Sequence, residues 1–252
     1  MIYIARTPLP TVLQKYEKLW LENLRKVIDE LNVLQMDSSA SRAQIRQVKR
    51  IKDQAEGKYN HREIKNALVA MFYGKCAYCE SPIRIVAYGH IEHFCPKSHP
   101  YCLDKIFDWN NLLLSCEICN DAAHKGTRFP MDASGHVLLI NPTDTADRPE
   151  YHLKVRWDNE TGIASIYGVD DKGKVTEQIF DLNGLRGRKE LRMERSRYIK
   201  MLLALVKFAE QGDAQALALL REACQPDAPY LAFVRSIIVP LLAKFEAHQG
   251  AN

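Results

Sequence analysis

Cys76-Ala77-Tyr78-Cys79 and Cys116-Glu117-Ile118-Cys119-Asn120 repeat one short pattern, and His90-Ile91-Glu92-His93 lies between them. Two residues between thiols let both sulfurs turn back onto one ion, and two such pairs complete a closed tetrahedral zinc site with no open position for chemistry. A zinc ion held by Cys76, Cys79, Cys116 and Cys119 is therefore a staple. Any reaction must be sought in the residues that the staple brings together.

Working outward, apolar residues at Leu13, Tyr16, Trp20, Leu24, Val27, Leu31 and Leu34 recur every three or four positions, which predicts an amphipathic helix. A second helix is expected over about 41–57 and a third over 61–72, where Gly74 ends it ahead of the first cysteine pair. Residues 137–140, 152–157, 163–168 and 175–180 read as short strands separated by Asn-Pro, Asp-Asn-Glu-Thr-Gly and Asp-Asp-Lys-Gly turns. From Arg188 onward the pattern is helical again, broken at Gly212-Asp213 and Gln225-Pro226-Asp227. The fold class that follows is α+β, a mostly helical body with an embedded cysteine-stapled element and a few short strands after it. The expected division is 1–74 helical, 75–135 the stapled core, and 136–252 strands followed by helices.

The 252 residues, 46% of them hydrophobic, can bury a sizeable core. The N-terminus shows no basic region followed by an apolar stretch, and no apolar run reaches membrane-spanning length, so a cytoplasmic protein without membrane contact is expected. The cysteine count of seven is odd, and C-x-x-C spacing suits metal better than a disulfide framework. Cys95, Cys102 and Cys224 are accordingly expected to be free thiols. A net charge of +4 is too small to demand a polyanionic partner. Lys and Arg nevertheless crowd two segments, Arg42 to Lys52 and Arg186 to Arg197, as solvated helix faces or as contacts for phosphates.

The ordered set Cys76-x-x-Cys79, Ile91-Glu92-His93-Phe94-x-Pro96-Lys97-Ser98, Asn110-Asn111-Leu112-Leu113-Leu114 and Cys116-x-x-Cys119-Asn120 resembles the HNH endonuclease family. The Lys125-Gly126-x-x-Phe129-Pro130 signature resembles the PtuB-like branch found in Septu and retron anti-phage systems. The specific match covers about 75–130. The resemblance implies a ββα-metal finger hydrolysing phosphodiester bonds of DNA, RNA or tRNA with Mg²⁺ or Mn²⁺, supported by structural zinc. It also implies a partner ATPase of the ABC type, PtuA-like, and in retron systems a reverse transcriptase with its RNA–DNA hybrid.

By the same resemblance His93 is the general base, since a neutral imidazole can take a proton from water near pH 7. Glu92 is the adjacent metal ligand, offering the hard oxygen that Mg²⁺ or Mn²⁺ prefers. Asn111 fixes the loop that orients the base. Asn120 stands where many members carry a third His, and His124 could replace or supplement it, because the spacer before Lys125-Gly126 is longer than usual. His90, Lys97, Lys125 and Arg128 are candidate nucleic-acid contacts. The competing reading is a catalytically silent, zinc-stabilised module that binds nucleic acid or protein. The Glu92-His93 pair weighs against it, because a scaffold needs neither residue.

Overall fold

The computed structural model of the chain describes residues 1–83 and 89–249. In chain order the elements are α1 (Thr11–Met36), α2 (Arg42–Glu56), α3 (Arg62–Met71), β1 (His90–His93), β2 (Leu112–Ser115), α4 (Glu117–Asn120), α5 (Pro149–His152), β3 (Leu153–Asp158), β4 (Ile163–Gly168), α6 (Asp171–Phe180), α7 (Lys189–Glu210), α8 (Ala214–Ala223), α9 (Leu231–Phe233) and α10 (Val239–Gln249), with a π turn at Val234–Ile238. The α+β class read from the sequence holds, with helices dominating and two small two-stranded sheets, β1–β2 and β3–β4, among the described residues. No helix of the described residues is long and apolar enough to cross a membrane. The chain forms two compact units that interleave in sequence. One comprises Met1–Ala5, Phe72–His90 and Ser115–Asn252, the other Arg6–Met71 and Ile91–Leu114.

In the unit of Arg6–Met71 and Ile91–Leu114, α1 buries Leu13, Trp20, Leu24 and Leu31, the stripe that its periodicity announced. Each fully buried leucine contributes about 1.5–3 kcal/mol by leaving water, and Leu13, Leu24 and Leu68 are all at 0% exposure. Ser41 starts α2 with a reciprocal capping box, its hydroxyl accepting the Gln44 N–H at 3.2 Å while the Gln44 side chain accepts the Ser41 N–H at 2.8 Å. α1 packs on α2 and α3. Trp20 meets Phe107 edge-on at 5.6 Å between centroids, which fastens the helices to the segment between β1 and β2. Leu112, Leu113 and Leu114 are all buried, so β2 is covered on both faces.

In the other unit, β3 and β4 pair antiparallel from Leu153↔Gly168 to Asp158↔Ile163. α6 and α7 pack against β4, and α8 and α10 against α7. Two strand expectations are overturned here. Residues 175–180 lie in α6, because Asp170 caps a helix, its Oδ1 accepting the Gly173 N–H at 2.8 Å. The Asp-Asp-Lys-Gly run that reads as a turn is thus a cap and a first helical turn. Gly173 is needed there for proximity, since a Cβ would lie 2.1 Å from the His152 carbonyl oxygen. Residues 137–140 make only an isolated bridge between Val137 and Met131. The Ile140 N–H goes instead to the Thr176 hydroxyl at 3.0 Å, a side-chain partner that satisfies the backbone without a second strand.

Candidate active site

The cysteine pairs lie on two tight turns of one unit. After Cys76 the chain reverses, with the Glu80 N–H bonded to the Cys76 carbonyl and the Cys76 N–H to the Ser81 carbonyl, both at 3.0 Å. Cys116 caps α4, its sulfur accepting the Cys119 N–H at 3.4 Å. The four sulfurs of Cys76, Cys79, Cys116 and Cys119 lie within 4.8 Å of one another, three of the residues being buried. A closed set of four converging thiols fits zinc. Burial pushes the Cys76 and Cys119 thiols up, whereas hydrogen bonds from neighbouring thiols hold Cys79 and Cys116 down.

Arg188 is the member of this cluster that the sequence reading missed. It is 6% exposed, and its Nη1 donates to Cys119 Sγ at 3.3 Å and to the Phe180 carbonyl at 2.5 Å. Burial alone would lower its pKa, but the negative sulfurs of Cys119 and Cys79 more than offset that, so it is held above the usual arginine value. A tetrathiolate zinc carries excess negative charge, and a buried guanidinium offsets it. The only sequence signal was the basic run from Arg186 to Arg197. Two of its members, Arg188 and Arg195, turn out to be interior, Arg195 donating to the Leu182 and Ala164 carbonyls.

Glu92, His93 and Asn111 belong to the other unit, on and beside β1 and β2. All three are buried, at 4%, 6% and 4% exposure. His93 Nε2 lies 2.9 Å from the Ile106 carbonyl oxygen. A carbonyl only accepts, so Nε2 carries the proton and Nδ1 is the basic nitrogen. Tyr59 presses edge-on against the imidazole at 4.5 Å, fixing its plane. Asn111 ties the loop together, its Oδ1 accepting the Cys95 N–H at 2.7 Å and its Nδ2 donating to the Cys95 and Lys105 carbonyls at 3.0 and 2.9 Å. The residues that moor the base, Ile106 and Tyr59, have no motif of their own.

Asn120 and His124 belong to the unit that holds the cysteines. Asn120 ends α4 and is half-buried. The His124 ring is held by Asp121, with Nδ1 3.0 Å from Oδ1. α4 is a single helical turn, followed by turns through Thr127. Gly126 takes a φ of +45°, and a Cβ there would stand 3.0 Å from Ala122 Cα, which explains a glycine after Lys125.

Of the four candidate nucleic-acid contacts, His90 is exposed at the start of β1. Lys97 is half-buried, paired with Glu56 at 2.6 Å and lying over the Tyr59 ring. Arg128 is exposed but donates to the Ala123 and His124 carbonyls. Lys125 is at 0% exposure, so its side chain does not reach the surface in this conformation. Exposed basic side chains lie instead along α2, at Arg42, Arg46, Lys49 and Arg50. Cys95 and Cys102, expected as free thiols, are joined as a disulfide, whereas Cys224 is free.

Residues 76–126 match the HNH endonuclease family. Among curated proteins the chain is similar to the Septu protein PtuB of Bacillus mycoides (strain KBAB4), 34% identical over 194 residues that cover 62% of this chain and 62% of that protein. It is also similar to the Septu protein PtuB of Bacillus thuringiensis, 37% identical over 124 residues covering 48% of this chain and 42% of that protein. The chain therefore spans less than two thirds of the length of these relatives. No solved structure matches it. The match at 76–126, with the cysteine pairs and the Glu92-His93 strand inside it, identifies an HNH endonuclease domain within a chain that is similar to PtuB.

Proposed function

We propose that the chain is a metal-dependent HNH endonuclease that hydrolyses phosphodiester bonds in nucleic acid. The observation that carries this reading is the mooring of His93. Its Nε2 donates to the Ile106 carbonyl and its ring plane is set by Tyr59, a fixed orientation of the kind a general base needs. His93 Nδ1 takes a proton from the attacking water. Asn111 holds the loop that carries Ile106 and so keeps the base in position. Glu92, on the same strand, supplies a hard carboxylate oxygen of the type Mg²⁺ or Mn²⁺ prefers, and the HNH resemblance alone nominates Asn120, with His124 as the alternative, as a further donor. When bound, the divalent ion stabilises negative charge on the phosphate and the departing oxygen. The cysteine site with its zinc keeps the finger folded. His90 and the basic face of α2 contact phosphates.

The similarity to Septu PtuB proteins supports a place in a Septu-type defence system, with an ABC-type ATPase of the PtuA kind as the restraining partner. The test is cleavage of duplex DNA, single-stranded DNA and RNA with Mg²⁺ or Mn²⁺, by the wild-type protein with its partner and by the His93→Ala protein prepared alike. The expected loss in the variant is about 10²–10⁴-fold, the share of a general base, with zinc content unchanged. A variant that cuts as fast as wild type, or a wild type indifferent to EDTA, would reject the proposal.

A further inference from the structure

Cys95, His99 and Cys102 form a cluster that the nuclease reading leaves unused. It lies just after β1, with Cys95 two positions beyond His93. The chain turns at Pro96, whose carbonyl accepts the His99 N–H at 2.9 Å, and enters a 3₁₀ turn at Pro100–Lys105, where the His99 carbonyl accepts the Cys102 N–H at 2.9 Å. The two turns fold the segment back on itself. Both sulfurs and a ring nitrogen of His99 then lie within 4.8 Å of one another, and His99 Nδ1 is 3.6 Å from Cys102 Sγ. Both cysteines are buried, and His99 is half-exposed at the rim.

A disulfide between Cys95 and Cys102 accounts for two of these groups, and the His99 imidazole, which also meets the Tyr101 ring, brings a third donor to the same place. Two thiolates and an imidazole within one coordination radius are the donor set of a thiophilic divalent ion. His99 is half-exposed, so the fourth ligand of such an ion would be a solvent water. We propose that, with the Cys95–Cys102 pair reduced, Cys95, His99 and Cys102 bind a second zinc-type ion, distinct from the ion of the four-cysteine site. Reduction by a thiol or phosphine reductant breaks the S–S bond with uptake of two electrons and two protons, and binding then releases the thiol protons as the thiolates coordinate.

The position gives the ion a consequence for the base. The same segment runs on to Lys105 and Ile106, whose carbonyls receive Asn111 Nδ2 and His93 Nε2. An ion at Cys95, His99 and Cys102 stiffens the loop that holds the imidazole, so this site and the orientation of His93 are mechanically linked.

The experiment is zinc content by elemental analysis and native mass spectrometry of the full-length protein, purified and kept in a phosphine reductant without added metal. No nucleic acid is present, so the result is independent of the nuclease reading. The wild type is expected to hold about two zinc ions per chain and the Cys95→Ser/Cys102→Ser protein about one. His99→Ala, which keeps both cysteines, is expected to yield its second ion to a chromophoric chelator about 10-fold more readily. The ion retained by the double variant reports that its four-cysteine site, and so its fold, is intact. About one zinc in the reduced wild type, or about two in the double variant, would overturn the proposal.

Discussion

Asn111 grips the backbone of Cys95 on both sides, its Oδ1 taking the Cys95 N–H at 2.7 Å and its Nδ2 giving to the Cys95 carbonyl at 3.0 Å. A second Nδ2 bond reaches the Lys105 carbonyl at 2.9 Å, so one amide spans the strand end and the 3₁₀ turn. Only an amide can do this, since it carries two donors and an acceptor in one plane. Asn111→Ala should lower stability by about 1–3 kcal/mol, the cost of stranding buried backbone groups, and should reduce cleavage through misplacement of His93. Asn111→Asp should be no better, because a carboxylate faces the Cys95 and Lys105 carbonyls without a donor. Thermal denaturation and initial cleavage rates check this. An Asp variant with wild-type melting and rate would show that the clamp is dispensable.

Arg188 tests whether charge compensation tunes the cysteine site. Its guanidinium donates to Cys119 Sγ at 3.3 Å from a buried position. Arg188→Met keeps the length and removes the charge, and should weaken zinc retention by about 10–100-fold, as loss of an outer partner of a metal ligand commonly does. The readout is competition with a chromophoric chelator. Equal affinity in the two proteins would assign Arg188 to packing alone.

The cysteine pairs, the Glu-His strand and the helical flanks were legible in the sequence because each rests on local spacing. Two residues between thiols and a 3.6-residue stripe act within a few positions. What escaped depends on groups far apart in the chain. Arg188 reaches Cys119 across 69 residues, and the Thr176 hydroxyl takes the Ile140 N–H across 36, replacing the strand expected at 137–140. Residues 175–180 misled for a different reason. Val175, Thr176 and Ile179 favour strands, but the Asp170 cap and the packing of α6 on β4 override a preference worth only tenths of a kcal/mol per residue. Cys102 and His99 did carry a local signal, a C-x-x-x-H-x-x-C spacing, masked by the two stronger cysteine pairs.

Acid should weaken the unit that holds β3 and β4. His152 lies 2.5 Å from both Asp147 and Asp170, and Lys172 also pairs with Asp147. Burial pushes the Asp147 carboxyl up, but the bonds from Lys172 and His152 outweigh it and hold it below the usual aspartate value. A depressed folded-state value means that the unfolded chain binds its proton first as pH falls. The Asp147 contribution is therefore complete above the unfolded value of about 3.9 and is lost as pH drops through the folded one. Urea midpoints from pH 7 down to pH 3 should decline less steeply in Asp147→Asn, which starts lower at neutral pH. Parallel declines in the two proteins would mean that this cluster contributes nothing to acid sensitivity.

Asn120 and His124 offer different atoms to a divalent ion, and their surroundings favour the amide. The His124 imidazole is already engaged by Asp121, with Nδ1 3.0 Å from Oδ1, and its carbonyl receives Arg128. Recruiting the ring to a metal would require breaking that bond. Asn120 sits half-buried at the end of α4, immediately after Cys119, so the cysteine staple itself positions its side chain. An amide oxygen is also the harder donor and suits Mg²⁺, whereas imidazole suits zinc and later transition metals. Asn120→Ala should therefore need about 10-fold more Mg²⁺ for half-maximal cleavage, with saturation by Mn²⁺ restoring part of the rate. His124→Ala should track the wild type in both metals. Titrating the rate against each ion decides between them, and a metal requirement that moves in His124→Ala while Asn120→Ala stays at the wild-type curve would hand the ligand role to the histidine.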